Sequence, residues 1–178
     1  LIYQNQGDYA LSLEDFNRYI ALDPDYQDGY YRRGFALRNL ERYEEAIADF
    51  DQAIALDAND NYSYFQRARS YRELDELDLA IADYTKSIEL NPESAASHYN
   101  RGLIYKDQDD YTAAIGDFNR YIKLRPEDPD GYYQLGVVLR WNDQFEDAII
   151  RFDQGLTLDP DDADLYFSRA IAYRQLEQ

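Results

Sequence analysis

Between Ala95 and Asp128 apolar residues fall at helical spacing twice. Tyr99, Gly102, Leu103 and Tyr105 lie on or near one face of a first segment, and Tyr111, Ala114, Ile115, Phe118, Ile122 and Leu124 on one face of a second. Recurrence at three and four residues predicts two amphipathic helices, each with a stripe to bury. Between them stands the short polar break Asp109-Asp110, and similar breaks occur at Glu41-Arg42, Asp75-Glu76 and Asp143-Gln144. A turn this short makes the two helices antiparallel neighbours.

The whole pattern recurs every 34 residues. Gly34, Ala68, Gly102, Gly136 and Ala170 fall into register, as do Ala46, Ala80, Ala114 and Ala148, and as do Pro24, Ala58, Pro92, Pro126 and Pro160. A fixed period of this length predicts a solenoid, in which each unit buries its apolar face only by stacking on its neighbours. We read residues 1–178 as a single repeat domain with full units at 27–60, 61–94, 95–128 and 129–162. A clipped unit occupies 1–26, where Leu1–Asn5 is a helix remnant, and 163–178 supplies only a first helix.

Further expectations follow from the register. Proline after the last leucine of a unit stops the second helix, and the acidic residues behind it serve the amides of the next helix start. The Gly/Ala series of the first helices, set against alanine in the second, predicts closely crossing backbones, where a leucine would overpack by about 1–3 kcal/mol. Arg33, Arg67 and Arg101 are followed 16 residues later by Asp49, Asp83 and Asp117, whereas the unit 129–162 has Leu135 and Arg151. Because both members change together, an ion pair within each unit is expected.

These residues resemble the tetratricopeptide repeat: Tyr/Leu, Gly/Ala, Tyr, Ala, Phe/Tyr, Ala/Ser and Pro at the family's spacings, over essentially the whole chain. The resemblance implies an all-α, right-handed superhelical solenoid of antiparallel helix pairs. It also implies that first helices line a concave face which holds segments of partner proteins. Departures are Ser12 in the small alanine position, Ala58 in place of proline, and Tyr19, Tyr121, Gly155 and Ser87 in the position of Ala53. The two tyrosines imply altered helix packing in 1–26 and 95–128.

Composition narrows the function. Thirty-six acidic against eighteen basic residues give a formal charge of -18, which opposes nucleic acid and anionic membrane as partners. No apolar run approaches the roughly 18 residues of a membrane span. Cysteine is absent, and so are glycine-rich phosphate loops and metal-ligand spacings, so neither a cofactor nor an enzyme is expected. The one histidine, His98, stands where other units have Tyr30, Tyr64, Tyr132 and Tyr166, and is expected to pack as they do. The chain begins at Leu1 and contains no methionine, and is read as a piece of a longer protein or a mature form.

By the family match two rows fall on the concave face. The aromatic row is Tyr31, Phe65, Tyr99, Tyr133 and Phe167; the basic row is Arg38, Arg72, Lys106, Arg140 and Arg174, with Arg69 one turn before Arg72 and Trp141 beside Arg140 as an anchor or a cover for the adjoining helix. Two readings of the cations stand. Each pairs with a nearby carboxylate such as Glu73 or Asp107, or the row takes carboxylates or phosphates of a peptide whose apolar side chains rest on the aromatics. The lysine and asparagine by which one subgroup grips chaperone tails are missing: their positions hold Tyr31 and Phe35, Phe65 and Arg69, Tyr99 and Leu103, Tyr133 and Val137. The expected function is a non-catalytic scaffold for a protein or peptide partner. The alternative is self-assembly through exposed helix faces, with Ile2 and Tyr3 at one end and Ala170 and Tyr173 at the other.

Overall fold

The computed structural model describes residues 8–177. The remnant helix at Leu1–Asn5, with Ile2 and Tyr3, lies outside them. Ten α-helices follow one another among the described residues: α1 Tyr9–Leu22, α2 Gln27–Asn39, α3 Tyr43–Leu56, α4 Asn61–Glu73, α5 Leu77–Leu90, α6 Ala95–Asp107, α7 Tyr111–Leu124, α8 Pro129–Trp141, α9 Phe145–Leu158 and α10 Ala163–Leu176. The chain divides into two compact units, Leu1–Pro92 and Glu93–Gln178. In the first, α2 pairs with α3 and α4 with α5, while α1 packs on α2 and α3 on α4; in the second, α6 pairs with α7 and α8 with α9, while α7 packs on α8 and α9 on α10.

Helix ends follow the local chemistry. Asp60, Asp128 and Asp162 accept from the first amides of α4, α8 and α10, as expected of the acidic residues after each turn. Tyr26 makes no such bond at α2, and Ser94 instead shares its hydroxyl with Ser97 at 2.8 Å. At each turn inside a pair the chain enters the left-handed region, with φ of 60° at Glu41, 61° at Asp75, 60° at Asp109 and 58° at Asp143. There the next amide reaches back five residues, as Arg42 does to Leu37 at 3.0 Å, closing the helix carbonyls. Aspartate tolerates this conformation better than glutamate, and glycine best. Glu41→Gly is therefore expected to raise stability by about 0.5–1 kcal/mol in chemical denaturation.

The glycines of this series meet an aromatic ring of the partner helix. A Cβ on Gly34, Gly102 or Gly136 would lie 2.9, 3.1 or 2.5 Å from the ring of Phe50, Phe118 or Phe152. The close approach is thus of backbone to ring, beside the fully buried Ala46, Ala114 and Ala148. Successive pairs interlock by complementary size ten residues apart. Tyr19 fills the space a side chain on Gly29 would need, Tyr121 does so at Gly131, and the relation reverses where Leu165 fills the space over Gly155. The local packing at both tyrosines is thus a ring against a glycine of the following first helix, which makes room for it.

The expected ion pairs are present, and those of Arg33 and Arg67 reach beyond their own hairpins. Arg33 grips Asp49 through Nε at 2.8 Å and Nη2 at 2.6 Å; Arg67 holds Asp83 at 2.7 and 2.7 Å, and Arg101 holds Asp117 at 2.8 and 2.8 Å. The remaining Nη1 of Arg33 donates backward to Asn17 at 2.7 Å, and that of Arg67 to Asp51. Arg169 makes the backward bond alone, to Asp153. In the exceptional hairpin Leu135 is 1% exposed and Arg151 turns to Gln154 at 2.9 Å. His98 is buried as expected, but it is also a second partner of Asp117, with Nδ1 2.9 Å from the carboxylate. Burial would raise the Asp117 pKa; the hydrogen bonds from Arg101 and His98 outweigh it and hold the carboxyl below its ordinary range. Since Asp117 is ionised, the ring nitrogen donates.

Candidate functional site

The aromatic row belongs to the core as much as to the surface. Tyr31 lies 6.2 Å from the ring of Phe50 and Phe65 5.8 Å from Tyr84; in the second unit Tyr99 lies 5.9 Å from Phe118 and Tyr133 6.5 Å from Phe152. Each of these four is half-buried, so only part of each ring is open to a ligand. Phe167 of α10 is 66% exposed. The Tyr99 hydroxyl already donates to Asp130, and burial together with that carboxylate pushes its pKa up. Shallow clefts open beside this row. One is lined by Gln27, Asp28, Tyr31, Asp60 and Tyr62, the other by Ala95, Ala96, Tyr99, Asn100 and Tyr121 with Arg125, Glu127 and Asp128.

The basic row stands at the other end of the same helices. Arg38, Arg72, Lys106, Arg140 and Arg174 each occupy the last turn of α2, α4, α6, α8 or α10, where the helix C-terminus favours a cation by about 0.3–1 kcal/mol. Asp28, Asp130 and Asp164 stand in the first turns of α2, α8 and α10. Along α2, α8 and α10 a first-turn carboxylate is therefore followed by an aromatic and then a last-turn cation.

Arg38, Arg69, Lys106 and Arg140 contact rings or amides. Arg38 lies 5.4 Å from the Phe35 ring, Arg69 5.9 Å from Phe65, and Arg140 5.9 Å from Trp141. Lys106 donates to Gln134 at 3.0 Å, and Arg140 reaches Gln175 at 3.3 Å. Among the described residues, Arg38, Arg69, Lys106, Arg140 and Arg174 form no ion pair with a carboxylate; the arginines that do lie in the helix-crossing positions and within single helical turns. Burial, then the like charge of Arg69, lowers the pKa of Arg38, with Glu73 opposing, and burial lowers that of Arg140. Trp141 is 43% exposed, and its ring lies 6.1 Å from Tyr111 of α7, so it covers the adjoining helix while keeping an open side.

The register did not single out Gln134 and Asp130, which stand on this face and engage Lys106 and Tyr99. Nor did it single out Tyr84, a lone tyrosine among phenylalanines, although that difference is visible in the chain. Among the described residues no group of three or more His, Cys, Asp or Glu side chains is arranged to hold a metal, and no helix is long and apolar enough to cross a membrane.

Three sequence models, each described as tetratricopeptide repeat, match residues 1–26, 28–60 and 65–129, together well over half of the chain. The chain belongs to the tetratricopeptide-repeat family. An uncharacterized protein of Methanocaldococcus jannaschii is 50% identical over 42 residues, 24% of this chain and 49% of its own length; the chain thus spans about half the length of that relative. The repeat fold is shared with solved structures. The C-terminal part of a TPR repeat-containing protein from Cytophaga hutchinsonii aligns with TM-score 0.87 and 22% identity over 99% of this chain and 69% of that one. YrrB, described as a TPR protein with an unusual peptide-binding site, aligns with TM-score 0.85 and 21% identity over 93% and 85%. MamA from Desulfovibrio magneticus RS-1 aligns with TM-score 0.82 and 20% identity over 90% and 91%. Tetratricopeptide-repeat proteins act in general as protein–protein interaction scaffolds, and these scaffolds are non-catalytic.

Proposed function

We propose that this chain is a scaffold that takes a peptide or protein segment with acidic groups on its first-helix faces. The observation that carries this reading is the set of cations on these helices: in a chain of charge -18, Arg38, Arg69, Lys106 and Arg140 keep rings and amides as neighbours and, among the described residues, no carboxylate as an ion-pair partner. The helix dipole accounts for a positive charge in each last turn; it does not account for charges left open beside aromatic rings. Partly desolvated guanidinium groups bind carboxylates or phosphates in bidentate fashion, and half-buried aromatics offer surface to apolar side chains. The peptide-binding description of YrrB supports the reading by its fold.

Affinity selection from a random peptide library tests it, with the Arg72→Glu, Lys106→Glu, Arg140→Glu triple variant in parallel. An acidic motif enriched by the parent alone, and released as salt rises, is the expected result. No motif, or the same motif from both proteins, would remove the basic row from the function. A second reading, stacking of copies through helix faces, is favoured by the exposure of Phe167, Ala170 and Tyr173 on α10. Sedimentation over a range of concentrations separates the two, because assembly grows with concentration whereas peptide affinity does not.

A further inference from the structure

Tyr84 carries a hydroxyl in a position that is otherwise apolar: Phe16, Phe50, Phe118 and Phe152 fill it in the other hairpins. The residue is 0% exposed, and its hydroxyl has no hydrogen-bond partner among the described residues. A buried, unsatisfied hydroxyl destabilises a fold relative to the phenylalanine that every other hairpin uses. Packing therefore does not account for it.

Its surroundings are cationic. The Tyr84 ring lies 5.8 Å from Phe65, and the Arg69 guanidinium lies 5.9 Å from that same Phe65 ring. Burial raises the phenol pKa; against this act Arg72, Arg69 and Arg38, with Glu73 on the opposite side of the balance. Arg38 comes from α2 and brings a second unsatisfied donor, a buried Nε with no partner among the described residues. Its charge is disfavoured first by burial and then by Arg69. Glu73, the nearby carboxylate, forms no ion pair with Arg38 or Arg69.

Three helices, α2, α4 and α5, thus bring like charges and two unused donors together, an arrangement that costs free energy while empty and is relieved by an anion. We propose that Arg38, Arg69 and Arg72, with the Tyr84 hydroxyl beneath them, form an oxyanion subsite that takes one carboxylate or phosphate group of a bound segment. A group seated there accepts from the guanidinium forks and from the phenol O–H. This deepens the reading of the first-helix face, on which it rests for the source of the anion.

The test uses the intact chain and small anions. Inorganic phosphate and glutarate are titrated separately at constant ionic strength, followed by NMR of the guanidinium and phenol-ring signals, with Tyr84→Phe and Arg69→Gln variants alongside. Saturable shifts at Arg38, Arg69 and Tyr84 are expected, with affinity weakened several-fold by Tyr84→Phe and about tenfold by Arg69→Gln. The tighter of the two anions names the group. Without anion, Tyr84→Phe is expected to melt no lower than the parent, so loss of binding is separated from loss of fold. Equal affinity of Tyr84→Phe and parent, or shifts that never saturate, would overturn the subsite. That result leaves the peptide selection standing, and a failed peptide selection leaves saturable phosphate binding in place.

Discussion

Asp49→Arg is expected to cost about 3 kcal/mol or more in chemical denaturation, and adding Arg33→Leu to restore most of the loss. Asp49 is 5% exposed and receives two hydrogen bonds from Arg33, at 2.8 and 2.6 Å. Reversing its charge sets two guanidinium groups against each other at a position that is itself closed to water. The double variant reproduces a solution the chain already contains, in which Leu135 is buried and Arg151 turns to Gln154. Restoration is expected to stop short of complete, because Arg33 also ties α2 back to Asn17 of α1 at 2.7 Å. A double variant no more stable than Asp49→Arg alone would show that the leucine–arginine arrangement depends on the rest of its hairpin.

Gly131→Leu is expected to destabilise by about 2–3 kcal/mol through overpacking. A bare Cβ at this position would stand 2.8 Å from the Tyr121 ring, and a leucine needs all the space that ring occupies. Tyr121→Ala in the same protein is expected to return much of the stability, since the pair then approaches the arrangement of Gly155 with Leu165. Full recovery is not expected, because the Tyr121 hydroxyl also donates to Asp128 at 2.5 Å, at the start of α8. Thermal denaturation of the two single variants and the double checks this. Additive losses would mean that the ring and the glycine are not complementary partners.

Both results turn on contacts between helices, which spacing along the chain fixes only in part. The Arg33–Asp49 pair was legible because both members change together in one unit. The backward bond to Asn17 was not, because its register holds Asn17, Asp51, Thr85, Asn119 and Asp153, a carboxylate in only two of the five units. Tyr121 was legible only as a misfit, since its compensation sits ten residues on, in a glycine that resembles an ordinary helix residue. His98 was legible as a buried ring; its bond to Asp117 required the coordinates of both helices.

The basic row shows the same division. Its periodicity is in the sequence, and so is its place in the last turn of each first helix, because a period and a turn signal fix which residues share a face. Whether a cation meets a carboxylate or a ring depends on rotamers and on the neighbouring helix, which local spacing does not determine. Tertiary structure set Arg38 near Phe35 and Arg69 while leaving Glu73 without an ion pair among the described residues, and it buried the Tyr84 hydroxyl without a hydrogen-bond partner among them. Helix type, boundaries and pairing are local properties of a repeating pattern, so the chain alone determined them. Size complementarity between hairpins and the desolvation of charged groups arise only when distant residues are packed together, so the tertiary structure decided those.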